Sequence, residues 1–174
     1  AAAVLCNAEG LKRLKGDSSR AVKLLSSVVR SSSNRGYEDY KNHLTALAAA
    51  EAYEKAGIAP ADVDVAEVHD ATAMGEIIQV ENLQLTPYGE AGRAAEQGDF
   101  TIGGRVPINP SGGLESKGHP IGATGLGQVY ELVTQLRGEA GKRQVDGARI
   151  AIQENGGGIY GVEEATAAIN IFSK

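Results

Sequence analysis

Of 174 residues, one is cysteine, one is methionine, two are phenylalanine and none is tryptophan. A lone cysteine, Cys6, excludes a disulfide framework. It fits a reducing compartment, so a cytoplasmic protein is expected. No apolar run approaches the roughly 18 residues of a membrane span. No basic n-region opens the chain, so a signal peptide is not expected. Positive charge is also short: 17 Lys and Arg stand against 22 Asp and Glu, a formal net charge of −5. With no tryptophan, that argues against a nucleic-acid surface. No Gly-Lys-Ser/Thr occurs, which removes the P-loop. Gly122-x-x-Gly125-x-Gly127 has the wrong order for a dinucleotide fingerprint. Three histidines without cysteine pairs give no zinc spacing, so no bound metal is expected. What is present is 42% apolar residues, ample for a core, and 23 glycines, about twice the usual share.

The glycines divide the chain. They are sparse up to about Leu85 and cluster in loops beyond it. Residues 1–7 are small and apolar and read as a buried strand. Because the chain opens on Ala-Ala-Ala-Val-Leu-Cys and not on Met, that strand reads as part of something longer. Residues 8–15 suggest a turn or short helix. Residues 21–30 are β-branched and predict a strand, followed by a polar loop over 31–34. Residues 40–56 are rich in Ala, Leu, Glu and Lys with apolar residues near helical spacing; Gly57 and then Pro60 stop that helix. Residues 63–68 predict a short strand that delivers His69 and Asp70, and 72–85 a second helix.

Residues 86–104 read as a polar surface excursion with one helical turn at 91–97. Residues 109–127 hold six glycines in nineteen positions. A helix over 126–136, a strand over 148–153, a glycine loop over 154–161 and a last strand over 163–172 complete the order β-β-α-β-α-loop-α-β-β. Such alternation predicts an α/β layered fold with a mostly parallel sheet.

In open α/β sheets ligands collect beyond the carboxyl ends of strands. Three polar sites fall there. His119 lies in Gly118-His119-Pro120, entering the following helix, with the backbone shaped on both sides. A neutral imidazole there keeps one N–H donor for a developing oxyanion; the plainer alternative is a histidine bonding its own loop. His69 either points into a cleft or, with Asp70 as N-cap, simply opens the next helix. Asn155 sits in the second glycine loop. His43 reads as a surface or half-buried histidine, and Cys6 as a small apolar residue of the first strand.

Taken together, these residues resemble the C-terminal half of a thiolase, of the sterol-carrier-protein (lipid-transfer) type. The carriers of the likeness are Asn109-Pro-Ser-Gly-Gly-Leu-Glu-Ser-Lys-Gly-His-Pro-Ile-Gly-Ala-Thr-Gly125, then Gln135-Leu-Arg-Gly-Glu-Ala-Gly-Lys-Arg-Gln144, and Glu67-Val-His-Asp70. The resemblance implies a C-terminal βαβαβαββ-type half over residues 8–174, with 1–7 ending the N-terminal half. It implies an N-terminal half as partner, a homodimer, and coenzyme A as co-substrate with no other cofactor.

By the same resemblance His119 would donate to a thioester or keto oxygen. His69 would stand where most thiolases hold the oxyanion-hole water with an Asn. The Gly157 N–H, or Gly156 in the neighbouring register, would serve a second hole. The candidate catalytic set is therefore His119, His69, Gly157 and Asn155. Ser111, Gly112, Gly113 and Tyr160 are candidate substrate contacts, Tyr160 reading also as packing beside the loop.

The departures matter as much. The acylated cysteine of thiolases lies in the other half. Both places where the family carries its acid/base cysteine lack it: one is Ala71, the other falls on Asn155-Gly156-Gly157, or Glu154 in the neighbouring register. Three functions follow as expectations. The first is thiolytic cleavage of a 3-oxoacyl-CoA, bulky or aromatic, in a degradative pathway. The second is retro-aldol cleavage of a 3-hydroxyacyl-CoA side chain beside a small zinc-ribbon/OB-fold partner. The third is a non-catalytic acyl-CoA or lipid-binding subunit.

Overall fold

The computed structural model describes residues 1–14 and 17–174. After a short helix α1 (Ala8–Arg13), the strand β1 (Lys23–Ser31) leads to helix α2 (Leu44–Ala56) and strand β2 (Val65–Glu67). Helices α3 (Ala73–Asn82), α4 (Ala91–Glu96), α5 (Gly113–Lys117) and α6 (Thr124–Leu136) precede strands β3 (Ile150–Gly157) and β4 (Thr166–Ser173). The four strands form one sheet in the order β1-β4-β3-β2.

Local chemistry sets the element ends. Alanine-rich α2 ends at Gly57, which takes φ 69° and lets its N–H return to Tyr53 and Glu54 carbonyls. Thr72 caps α3, its hydroxyl accepting from Gly75 N at 3.0 Å. The Tyr53 hydroxyl donates to Leu83 O at 2.8 Å and ties the end of α3 to α2.

Strand parity sorts the core into two layers. On one face Val28, Ala66, Ile152, Ile169 and Ile171 pack with Ala48, Ala52 and Tyr53 of α2 and Val80 of α3. On the other, Val65, Ala151 and Phe172 pack with Leu132 and Leu136 of α6. The layered α/β fold expected from the sequence is the one observed.

Several expectations are corrected. The sheet is mixed: β2 and β3 are parallel, but β1–β4 and β3–β4 are antiparallel. The short 158–165 connection forces that last reversal, because a parallel return needs a long crossover. Residues 1–7 are exposed coil and not a buried strand: among the described residues no strand pairs with them. The 8–15 stretch is helical over Ala8–Arg13, and its last residue, Lys15, lies outside the described residues.

Residues 154–157 belong to β3 and not to a glycine loop, because β4 pairs with them through Gly157↔Thr166. The 86–104 stretch is partly core: Ala91, Ala94 and Phe100 are buried. His43 is buried, its Nδ1 accepting from Thr45 N at 3.2 Å as the cap of α2. Between α4 and α6, Ile108 forms an isolated parallel bridge with Ala66 at the free side of β2.

Candidate functional site

The chain leaves β2 at Glu67, and each of the next three residues is staked from a different direction. Val68 N donates to Asn109 Oδ1 at 2.8 Å. His69 N donates to Glu154 Oε2 at 2.8 Å. The Asp70 carboxylate accepts from Leu114 N at 2.7 Å. Asp70 thus serves the first turn of α5, and Thr72, next to the helix, takes the α3 cap expected of Asp70. Gly113 sits against that carboxylate at φ 60°, where any Cβ would overlap Asp70 Oδ2.

Glu67 is fully buried and accepts from Ser111 N at 3.1 Å and Ser111 Oγ at 2.8 Å. Lys117 Nζ lies 3.4 Å from its Oε2 and also bonds Ser111 Oγ. Burial pushes the Glu67 pKa up, against the pull of Lys117 and Ser111. Ser111, Gly112 and Gly113, expected to face substrate, are thus engaged in fastening the His69 segment: Gly112 takes φ 96° ahead of α5, and its N–H returns to Asn109 O at 2.8 Å.

His119 lies in an exposed stretch, five residues ahead of Thr124 where α6 begins. Its Nδ1 is 2.7 Å from Thr124 Oγ1. Its ring meets that of His69 edge to face, with centroids 4.9 Å apart and planes at 86°. Asn155, near the end of β3, approaches His69 Nδ1 with its Nδ2 at 3.2 Å and Gln128 Oε1 at 3.1 Å. The structure therefore brings His69, His119 and Asn155 together from three segments. Gly157 closes β3 opposite Thr166. Tyr160 lies beyond the strand, 60% exposed, its N–H bonded to Glu163 O. Cys6 is free and exposed on the N-terminal coil.

Burial holds the His69 pKa below its ordinary value, helped by neighbouring His119. On the other face of β3, Glu154 is wholly buried, with Oε1 lacking any partner among the described residues. Burial pushes its pKa up to about 8, against the pull of the His69 N–H. Among the described residues no group of three or more His, Cys, Asp or Glu is placed to hold a metal ion. Chemically, two imidazoles in ring contact can donate or accept hydrogen bonds according to their tautomers.

Sequence reasoning missed Thr124, Gln128 and the burial of Glu154. Thr124 had a usable signal, five residues past a histidine at the mouth of a helix. Gln128 had none, because one polar residue on an amphipathic helix reads as surface.

The fold is that of a thiolase C-terminal domain. A family model described as "Thiolase C-terminal domain-like" matches residues 26–171. An acetyl-CoA acetyltransferase of Methanothermobacter thermautotrophicus is 51% identical over 130 residues, covering 75% of this chain and 33% of that protein. Sterol carrier protein 2 of Oryctolagus cuniculus is 45% identical over 161 residues, covering 89% of this chain and 29% of its own. A benzoylsuccinyl-CoA thiolase subunit, BbsB, of Thauera aromatica is 36% identical over 160 residues, covering 90% and 41%. A solved structure described as an Ltp2-ChsH2(DUF35) aldolase shares the fold, with a TM-score of 0.71 at 20% identity, covering 86% of this chain and 39% of its own. The chain belongs to the thiolase superfamily as a C-terminal domain, in the sterol-carrier-protein 2 branch. It spans about a third of the length of these curated relatives. Among the described residues no helix is long and apolar enough to cross a membrane.

Proposed function

We propose that this domain holds the thioester oxygen of an acyl-CoA between His69 and His119, and that the intact protein breaks a carbon–carbon bond of that acyl group. The observation that carries the reading is the edge-to-face histidine pair, 4.9 Å between centroids, standing over the end of β3. Two N–H donors on one oxygen stabilise the enolate that forms when a bond at the α-carbon breaks.

Retro-aldol cleavage of a 3-hydroxyacyl-CoA is the favoured form. A base takes the 3-hydroxyl proton, the C2–C3 bond breaks, and its electron pair passes into the thioester as an enolate. The carbonyl fragment leaves and C2 takes up a proton. This route needs no acid/base cysteine, and Ala71 with Asn155-Gly156-Gly157 occupies the positions where such a cysteine is expected. The base and the opposite wall come from an N-terminal half. A homodimer and a zinc-ribbon/OB-fold partner belong to this reading, as does coenzyme A arriving as the thioester. Thiolysis of a 3-oxoacyl-CoA is the second reading, favoured by the 51% identity to a protein named as an acetyltransferase.

The test offers the intact protein a 3-hydroxyacyl-CoA without added CoA, and a 3-oxoacyl-CoA with it. Cleavage of the first supports the aldol reading, and cleavage of only the second shifts the assignment to thiolysis. His119→Ala is expected to lower kcat by about 10²–10³-fold. Binding of acyl-CoA with no cleavage of either would leave a non-catalytic binding subunit and overturn the proposal.

A further inference from the structure

The amide groups behind His69 form a chain with a single allowed polarity. Gln128 is fully buried on α6, and its Nε2 donates to the backbone carbonyl of Glu154 at 3.0 Å. A carbonyl oxygen can only accept, so Gln128 must turn its Oε1 the other way. That oxygen receives Gln153 Nε2 at 3.0 Å and Asn155 Nδ2 at 3.1 Å. Gln153 is pinned in the same sense, donating to Gly125 O at 2.9 Å and accepting from Asn170 Nδ2 at 2.8 Å. Turning Asn155 over would set its Oδ1 against Gln128 Oε1, oxygen to oxygen. Its NH₂ group therefore faces both Gln128 and His69 Nδ1.

We propose that Gln128 and Asn155 are positioning residues for His69: their anchored amides oblige Nδ1 to accept, which places the imidazole proton on Nε2. Among the described residues that Nε2–H has no protein partner, so it remains free as a donor beside His119. A protonated imidazolium would set N–H against N–H at Nδ1, so the amides also oppose the charged form. Placing a donor at Nε2 is a property of the fold; its use on an acyl oxygen rests on the function proposed above.

Side-chain nitrogen NMR of the intact protein labelled with ¹⁵N-histidine reads the tautomer directly, and His69→Asn identifies the His69 signals. The unaltered protein is expected to show Nδ1 bare and Nε2 protonated at neutral pH. Asn155→Asp replaces the donor by an acceptor: Nδ1 gains a proton and the His69 titration midpoint rises by about one pH unit or more. Gln128→Met frees the Asn155 amide to turn, and the single tautomer becomes a mixture. Nδ1–H in the unaltered protein overturns the proposal, as does an unchanged tautomer and midpoint in a folded Asn155→Asp. If that variant fails to fold, the measurement on the unaltered protein decides alone. Acyl-CoA turnover is followed separately, with kcat expected to fall about 10²-fold in Asn155→Asp. The NMR result without any acyl-CoA binding would sink the functional reading and leave the positioning role standing.

Discussion

Two buried glutamates, nine residues apart, receive opposite treatment. Glu163 sits where the chain enters β4, and two segments, 32–35 and the start of α2, converge on it. Its Oε1 accepts from Ser32 Oγ at 2.9 Å, Ser33 N at 2.6 Å and Ser33 Oγ at 2.8 Å. Its Oε2 accepts from Arg35 Nε and Leu44 N, both at 2.9 Å. Burial pushes its pKa up, but the bonds from Leu44, Ser33 and Ser32 outweigh that and hold it at about 2. Glu154 has one donor, the His69 N–H, and an orphaned Oε1, and its pKa stands at about 8. The saturated carboxylate joins β1, α2 and β4 into a scaffold. The undersupplied acid lies under the histidine pair. The contrast fits a molecule whose residual polarity is left at the site while the frame is satisfied.

The largest effect should come from Glu163→Gln, which breaks the pair with Arg35 and weakens four other bonds. A loss of about 3 kcal/mol is expected in urea denaturation near neutral pH. Its pH dependence has a definite sign. The folded pKa of about 2 lies below the ordinary 4.5, so the stabilisation is complete above about pH 4.5 and disappears as pH falls to about 2. Glu163→Gln should lack that acid-limb dependence. A cost no larger than that of Glu154→Gln would erase the contrast.

Next comes Gly113→Ala, beside Asp70. Both the positive φ and the overlap with the carboxylate oppose it, and about 2 kcal/mol should be lost in the same assay. Turnover should fall with it, because Asp70 follows His69 directly. A neutral result would show that the His69 segment is not staked as described.

Glu154→Gln should have the reverse sign. The acid is neutral when folded and ionised when unfolded at pH values between about 4.5 and 8, so stability declines as pH rises through that window. Gln reproduces the neutral acid's donor and acceptor. The variant should equal the parent near pH 5 and exceed it by about 1 kcal/mol at pH 6. Equal stability at both values would mean that Glu154 is ionised in the folded protein. The smallest effect belongs to the exposed pair of Lys55 with Glu51, 2.7 Å apart on α2. Glu51→Gln should leave the urea midpoint within experimental error, setting the scale for the buried cases.

Much of the frame was legible because its signals are local. Alanine-rich α2 announces itself, and Gly57 with Pro60 closes it. The β-branched residues of β1 do likewise. The misreadings arise where partners distant in sequence decide. Glycine depresses strand propensity, yet 156 and 157 are strand because β4 pairs with them. Residues 1–7 have strand composition and no ladder to join. At the site, His69 and His119 stood out through the Gly, Pro and Asp around them. Gln128, Asn109 and Glu67 did not, because their work is to accept or donate to groups 26 to 44 residues away.

The alternation along β3 carries one more consequence. Gln153 and Asn155 point to α6 and build the amide chain, while Ile152 and Glu154 point to α2 and α3. Which polar group meets the histidine is thus a matter of odd and even positions. A one-residue slip of β3 against β4 would exchange the faces, sending the amides into the apolar layer and the carboxyl toward α6. The strand would still be a strand, but it would display the wrong alphabet. The ladder from Ile150↔Ser173 to Gly157↔Thr166, which runs without a bulge, therefore acts as a reading frame for the chemistry as well as a support for the fold.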